Sequence, residues 1–225
     1  MAHPLDRPVW AAFTTRQREF AIGDARALRI DPAVGLFAAA ADNQPESLAA
    51  LAELLPQQGV VGLVERTPPV LPASARIVKQ AMCVQMIADD VTAAPPTFDY
   101  QRLGSDDAAD MLELATLTEP GPFAARTREL GDFFGVRQGG QLIAMAGERM
   151  RPPGFTEVSG VCTRPGFRGR GLAAGLMTVV ARRIVERGET PFLHAYADHH
   201  ATIALYERLG FRTRATIFFT LIARG

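Results

Sequence analysis

Residues 155–173 read FTEVSGVCTRPGFRGRGLA, and this stretch decides the fold around it. Its first nine residues include several that favour extended structure, so they predict a strand over residues 155–163. Pro165 and Gly166 end that strand, and the glycine-rich segment 168–173 opens a long helical pattern. The stretch therefore predicts a strand, a glycine-rich turn and the start of a helix in direct succession.

The predicted turn is a candidate site for an anion. The first N–H groups of a helix have no partner within the helix, and the helix dipole places partial positive charge there. Gly169 and Gly171 let a ligand approach the backbone, while Arg168 and Arg170 add positive charge. The spacing matches neither the P-loop nor the dinucleotide-binding glycine pattern. We therefore expect a phosphate or pyrophosphate group of a different kind of ligand.

The glycine-rich turn resembles the phosphate loop of the GNAT superfamily of acyl-CoA-dependent N-acyltransferases. That loop follows the pattern [QR]-x-x-G-x-[GA], and Arg168, Gly171 and Ala173 fill its three defined positions. The resemblance implies that coenzyme A is the ligand whose pyrophosphate the turn would hold.

A second motif of the same family follows downstream, after a predicted helix and strand. Residues 204–211 read ALYERLGF and are similar to the end of the family's A-x-x-L-Y-x-x-x-G-F segment. The first alanine of that segment falls at Thr202 or Ala201, depending on the alignment. The resemblance covers roughly residues 98–225, and the preceding part of the chain carries no specific match.

The pattern of strands and helices predicts an α+β fold. Antiparallel strands come first, and alternating strands and helices follow, which gives a sheet covered by helices. The family resemblance implies a mixed, mainly antiparallel sheet that splays open between two parallel strands, here 155–163 and 191–197. Residues 1–95 are expected to form an N-terminal α/β lobe, which we consider as a degenerate GNAT-like half. The proline-rich linker 89–97 separates it from a GNAT acetyltransferase domain at 96–225.

Hydrophobic periodicity and turn residues predict the remaining elements. Residues 75–88 suit a helix through Met82 followed by a strand. The other predicted helices are 8–20, 45–55, 106–117, 171–187 and 200–209, with a short one at 125–130. The other predicted strands are two within 27–42, then 60–64, 133–137, 141–150, 191–196 and 215–222.

The resemblance implies a binding site for acetyl-CoA and no metal. Amides of the glycine-rich loop would hold the pyrophosphate, and backbone groups of the preceding strand would pair with the pantetheine arm. His199 stands where the family often has an Asn that contacts this arm. The implied cofactor-binding residues are Val161, Cys162, Thr163, Arg168, Gly169, Arg170, Gly171, Leu172, Ala173 and His199.

The resemblance also implies the catalytic residues. Tyr206 would protonate the leaving thiolate, because a phenol and a thiol have similar basicity. Glu157 would be the general base that removes a proton from the attacking amine, and Glu148 is its competitor. The plain alternatives are a helix aromatic packed on the core for Tyr206 and a carboxylate in an ion pair for Glu157.

Other reactive side chains in this part of the chain carry simpler interpretations. Cys162 suggests an acyl-cysteine route, but no His is placed in the sequence to activate it, so a buried thiol is favoured. His199 and His200 are adjacent and lack a third ligand at a helpful spacing, which argues against zinc. His194 is typical of a hydrogen-bonded histidine within a sheet.

Composition limits the partners. Formal net charge is zero, with 24 basic and 24 acidic residues, which argues against nucleic acid as a partner. No apolar run reaches the length of a membrane span, and Cys83 and Cys162 are typical of reduced core residues, so we expect a cytoplasmic protein. The family resemblance implies an N-acetyltransferase that acts on a small-molecule or peptide amine. A catalytically inactive CoA-binding regulatory or interaction module is the alternative, and the sequence leaves a homodimer open.

Overall fold

An eight-stranded mixed sheet forms the centre of the protein, in a computed structural model that describes residues 3–91 and 93–225. Its strand order is β4-β11-β5-β10-β9-β8-β7-β6. The strands of the chain are β1 Ala21–Gly23, β2 Ala27–Ile30, β3 Ala38–Ala40, β4 Val61–Glu65, β5 Ala75–Ile87, β6 Gln101–Leu103, β7 Phe133–Gln138, β8 Gln141–Glu148, β9 Phe155–Thr163, β10 Thr190–Tyr196 and β11 Arg212–Arg224. Strands β1, β2 and β3 form a separate three-stranded sheet.

Five α-helices surround these sheets within the described residues. They are α1 Pro8–Phe13, α2 Pro45–Leu54, α3 Ala108–Thr118, α4 Leu172–Glu186 and α5 His200–Arg208. Helix α4 buries Leu176, Val180 and Ile184, which recur every four residues and therefore share one face of the helix. That face packs against the sheet, in a core that also contains residues of β7, β8 and β10. The N-terminal helix α1 packs in a separate cluster with Phe192 and Ile217.

The central sheet splays open between the two strands that the family resemblance implies. Strands β9 and β10 are parallel, and they pair only from Thr190 opposite Phe155 to Phe192 opposite Glu157. Beyond this point β9 continues to pair with β8, and β10 continues to pair with β5. The mixed α+β architecture is therefore confirmed, and the gap between the two strands is the natural place for a ligand.

The predicted helix through Met82 is wrong, because residues 75–87 form a single strand, β5. This strand pairs with β11 from Ala75 opposite Arg224 to Ile87 opposite Arg212. The β-branched Ile77 and Val78 fit this extended conformation. The long pairing with β11, which is distant in sequence, outweighs the local helix propensity of residues 75–82.

The predicted helix 8–20 is also too long. Helix α1 ends at Phe13, and Arg18–Phe20 forms a separate 3-10 helix. The hydroxyls of Thr14 and Thr15 donate hydrogen bonds to the carbonyls of Trp10 and Ala11. Such side-chain bonds compete with helix continuation, which explains the early end.

Strands from both sides of residue 95 share the central sheet. Strand β4 pairs with β11, and β5 lies between β10 and β11. A domain boundary at residue 95 would therefore separate strands that pair within one sheet. The division into two domains stays a prediction. Within residues 3–91 and 93–225, no helix combines the length and the apolar character that crossing a membrane requires.

Candidate active-site clefts

The glycine-rich loop lies between a short 3-10 helix, Pro165–Phe167, and the start of α4. Gly169 and Gly171 adopt φ angles of 79° and 75°, in the left-handed region that side chains rarely enter. A Cβ atom added at either position would meet nothing within 4 Å. The backbone of the loop is therefore accessible to a ligand at the first turn of a helix, as an anion site requires.

A cleft of about 390 Å³ borders this loop, and we call it the loop cleft. Eight of the ten predicted cofactor-binding residues line it: Val161, Cys162, Thr163, Arg168, Gly169, Gly171, Leu172 and Ala173. The buried hydroxyl oxygen of Thr163 has no hydrogen-bond partner in the described part of the chain. A buried hydroxyl without a partner is costly, so this atom fits a ligand that supplies one.

Two predicted cofactor-binding residues are not among the residues that line the loop cleft. Arg170 places its guanidinium 4.9 Å from the ring centroid of Phe167. His199 lines a different, second cleft, with its ring centroid 5.2 Å from that of Tyr196. Arg168 does line the cleft, and its Nε donates to the carbonyl of Thr163 at 3.3 Å.

A second cleft, of about 330 Å³, contains Tyr206, and we call it the tyrosine cleft. The two clefts share Val161, so they meet at strand β9. An apolar part of the wall comes from Phe37, Val64, Cys83, Ile217 and Phe219. Residues 119–122, which follow α3, also line the cleft. The site therefore has two adjoining compartments that meet at β9.

Tyr206 lies on α5, half-buried, with its ring centroid 6.4 Å from that of Phe211. Burial raises the pKa of its phenol above the usual value, because the ionised form is poorly solvated there. The phenol therefore keeps its proton at neutral pH, as a proton donor must.

Glu157 lines the tyrosine cleft, but its carboxylate already has several partners. Arg149 donates to both oxygens, at 2.9 and 2.8 Å, and His194 Nδ1 lies 2.8 Å from Oε1. Burial alone would raise the pKa of Glu157, but the charge and hydrogen bonds of Arg149, with a further contribution from His194, lower it to about 2. Glu157 is therefore a fixed negative charge with weak basicity.

A chain of hydrogen bonds fixes the orientation of the His194 ring through its Nε2 atom. Its Nε2 lies 3.0 Å from Nε2 of Gln85, whose amide is oriented by a bond to the Leu5 carbonyl and by a bond from Arg214. The Gln85 nitrogen is thus a donor, so Nε2 of His194 accepts and Nδ1 carries the proton that faces Glu157. Arg214 in turn pairs with Asp6 at 2.6 Å. The chain ties the N-terminal segment to the wall of the tyrosine cleft.

The structure does not bring Glu148 together with Tyr206. Glu148 is only 2% exposed, pairs with Arg187 at 2.6 Å and accepts from the Asp132 amide at 3.4 Å. It is not among the residues that line either cleft. The expectation that Glu148 competes for the role of general base thus has no support in the geometry, because a base must reach the reacting amine.

Sequence reasoning missed Arg149 and gave His194 no part in the site. Arg149 lies only eight residues before Glu157, but the turn between β8 and β9 must fold before the two meet. Cys162 lines the loop cleft, and burial raises the pKa of its thiol to about 11. The thiol is therefore protonated at neutral pH, which fits the interpretation of Cys162 as unreactive.

Comparisons with known proteins agree on one family. Residues 133–219 match the family model described as FR47-like protein. A GNAT-family protein of known structure from Novosphingobium aromaticivorans is 46% identical, with a TM-score of 0.92 over 100% of both chains.

Two curated relatives match part of the chain. A mycothiol acetyltransferase from Streptomyces avermitilis is 36% identical over 86 residues, which are 37% of this chain and 28% of that protein. The N-alpha-acetyltransferase RimI from Mycobacterium tuberculosis is 34% identical over 103 residues, or 42% of this chain and 63% of RimI. The matched part thus spans less than two thirds of either relative. Since the fold, the splay and the full-length match agree, the chain belongs to the GNAT superfamily of acetyltransferases.

Proposed function

We propose that the protein transfers an acetyl group from acetyl-CoA to a primary amine by direct attack of the amine on the thioester. The observation that carries the proposal is the pair of clefts that meet at Val161, one beside the open glycine loop and the other containing Tyr206. One compartment suits the donor and the other suits the acceptor. The curated relatives with acetyltransferase names support the reaction class.

Acetyl-CoA would supply the thioester that is cleaved. The amides at the start of α4 and the charge of Arg168 would hold its pyrophosphate. The edge of β9 that faces the splay would pair with the pantetheine arm, since β10 does not pair with that edge beyond Glu157. The residues present fit this ligand, because the glycine loop is open and the Thr163 hydroxyl lacks a partner in the described chain.

Tyr206 would donate its proton to the departing thiolate. Its raised pKa keeps the phenol protonated, and a thiolate is basic enough to accept the proton. Among the two predicted bases, Glu157 is the one that lines the cleft, but a pKa of about 2 makes it a weak proton acceptor. Attack requires the neutral amine, so the ammonium proton passes to solvent before the nitrogen reaches the thioester, and Glu157, paired with Arg149, stays a fixed part of the cleft wall.

Turnover of acetyl-CoA with a panel of primary amines tests the proposal, with release of free thiol as the readout. We expect thiol release to depend on at least one amine and the product to be heavier by one acetyl group. Calorimetry with CoA, run in parallel, separates binding from reaction. If CoA binds and no amine is acetylated, the protein is the alternative, a CoA-binding module without catalysis.

A further inference from the structure

Glu119 has an unusual backbone conformation at the end of α3. Its φ and ψ are 48° and 55°, and it is the only non-glycine residue with positive φ in the part of the chain that the structure describes. A left-handed conformation with a side chain costs on the order of 1–3 kcal/mol and concentrates at functional sites. Its backbone N–H caps the helix by donating to the Ala115 carbonyl, a position at which Asn or Gly would have less strain than glutamate.

Glu119 also lines the tyrosine cleft, together with Pro120, Gly121 and Pro122. The two prolines limit the backbone freedom of this loop and therefore hold Glu119 in place. The side chain is exposed, which places it at the mouth of the cleft.

The charges that line the tyrosine cleft do not cancel. The charges of Arg149 and Glu157 neutralise each other in a bidentate ion pair. Glu119 makes no side-chain hydrogen bond and no ion pair with any residue in the described ranges, unlike Glu148 and Glu157. The cleft thus has one negative charge in excess, at its mouth, with an apolar wall that includes Phe37, Val64, Ile217 and Phe219.

We propose that Glu119 is the acceptor-binding residue of this enzyme and that the acceptor is a compact primary amine, positively charged, with an apolar or aromatic body. The ammonium group is received by the Glu119 carboxylate, and the apolar body lies against the wall that includes Phe37 and Phe219. This assignment rests on the proposed acetyl transfer and adds the substrate class and the residue that selects it.

Binding of two probes to the protein alone tests the assignment without any turnover. The probes are phenethylamine, which is positively charged at pH 7, and 2-phenylethanol, its neutral counterpart of similar shape. The variants are Glu119→Gln, which keeps the size, and Glu119→Asn, which tolerates the left-handed backbone. Glu207→Gln is the matched control, because Glu207 is equally exposed and is not among the residues that line the cleft.

We expect both Glu119 variants to weaken phenethylamine binding by about three- to fivefold, as loss of a solvent-exposed ion pair worth up to ~1 kcal/mol predicts. Their affinity for 2-phenylethanol should stay within about twofold of the wild type, and Glu207→Gln should change neither. Equal affinity of wild type and Glu119→Gln for phenethylamine would overturn the assignment. So would an equal loss of both probes, or a wild-type protein that binds no phenethylamine.

The failure of this assignment can be told apart from the failure of the proposed function. If acetyl transfer to amines is observed but the Glu119 variants bind phenethylamine normally, only the assignment is wrong. If no amine is acetylated while phenethylamine binding depends on Glu119, the cleft binds cations and the proposed reaction is wrong.

Discussion

Replacing Glu157 with Gln removes a buried negative charge from between Arg149 and His194. The pKa of Glu157 falls from its usual 4.5 to about 2 in the folded protein, because the charge and hydrogen bonds of Arg149, helped by His194, outweigh the effect of burial. A difference of that size corresponds to roughly 3 kcal/mol of stability at neutral pH. Breaking a buried ion pair from one side costs a similar ~3–5 kcal/mol. We therefore expect Glu157→Gln to lower the free energy of unfolding by about 3 kcal/mol at pH 7.

The pH dependence of this effect has a definite sign. The pKa is lower in the folded than in the unfolded state, so between 4.5 and about 2 the unfolded state binds more protons. The stabilisation is therefore complete above the unfolded pKa and is lost as pH falls through that range. The gap in stability between wild type and Glu157→Gln should be largest near pH 7 and should narrow as the pH falls from about 5 toward 2.

Urea unfolding at a series of pH values from 3 to 7 measures this gap. Glu113→Gln is the matched control, because Glu113 also pairs with an arginine, Arg164, but its side chain is 57% exposed. Removing such a surface pair should cost only about 0–1 kcal/mol. A Glu157→Gln protein as stable as wild type at pH 7, or a gap that does not change with pH, would refute the electrostatic account of this wall.

Three further predictions concern the loop, the tyrosine and the core. Gly171→Val should raise the Kd for CoA about tenfold or more in calorimetry. Gly188→Val is the control and should leave the Kd unchanged, because Gly188 has the same φ of 75° and equal open space at the other end of α4. Equal losses of affinity in the two variants would contradict the loop assignment. Tyr206→Phe should lower kcat by about 10²-fold or more with little change in the KM for acetyl-CoA, and an unchanged kcat would remove Tyr206 from the mechanism. Leu176→Ala should lower the free energy of unfolding by about 2–5 kcal/mol in urea titrations, because the side chain is fully buried, and a loss below about 1 kcal/mol would show that the core closes over the gap.

Much of the site was predictable because its signals are local. The strand at 155–163 has the bounds that the sequence predicted, and α4 begins within one residue of its predicted start. Both follow from the residue types in one short segment, because Pro165 ends the strand and the glycines favour a turn. Most of the predicted cofactor-binding residues lie in this segment, which is why eight of the ten line the loop cleft.

The acidic residues were less predictable because their roles depend on partners far away in sequence or across a turn. Both Glu148 and Glu157 lie on adjacent strands, and their residue type makes them equal candidates for a base. The structure separates them: Arg187 holds Glu148 away from both clefts, whereas Arg149 and His194 hold Glu157 in the wall of one. No pattern in the sequence indicates which of the two carboxylates lines a cleft.

The amino-acid sequence by itself determined the open loop at Gly169 and Gly171 and the helix that follows, because backbone conformation there depends on neighbours within a few residues. Only the tertiary structure decided that β5 is a strand, that Glu157 is held ionised and that Glu119 lies at the mouth of the tyrosine cleft. Each of these depends on residues that meet only when the sheet forms, either across a turn or from segments distant in sequence, and for β5 the energy of the long-range contacts exceeds local preference.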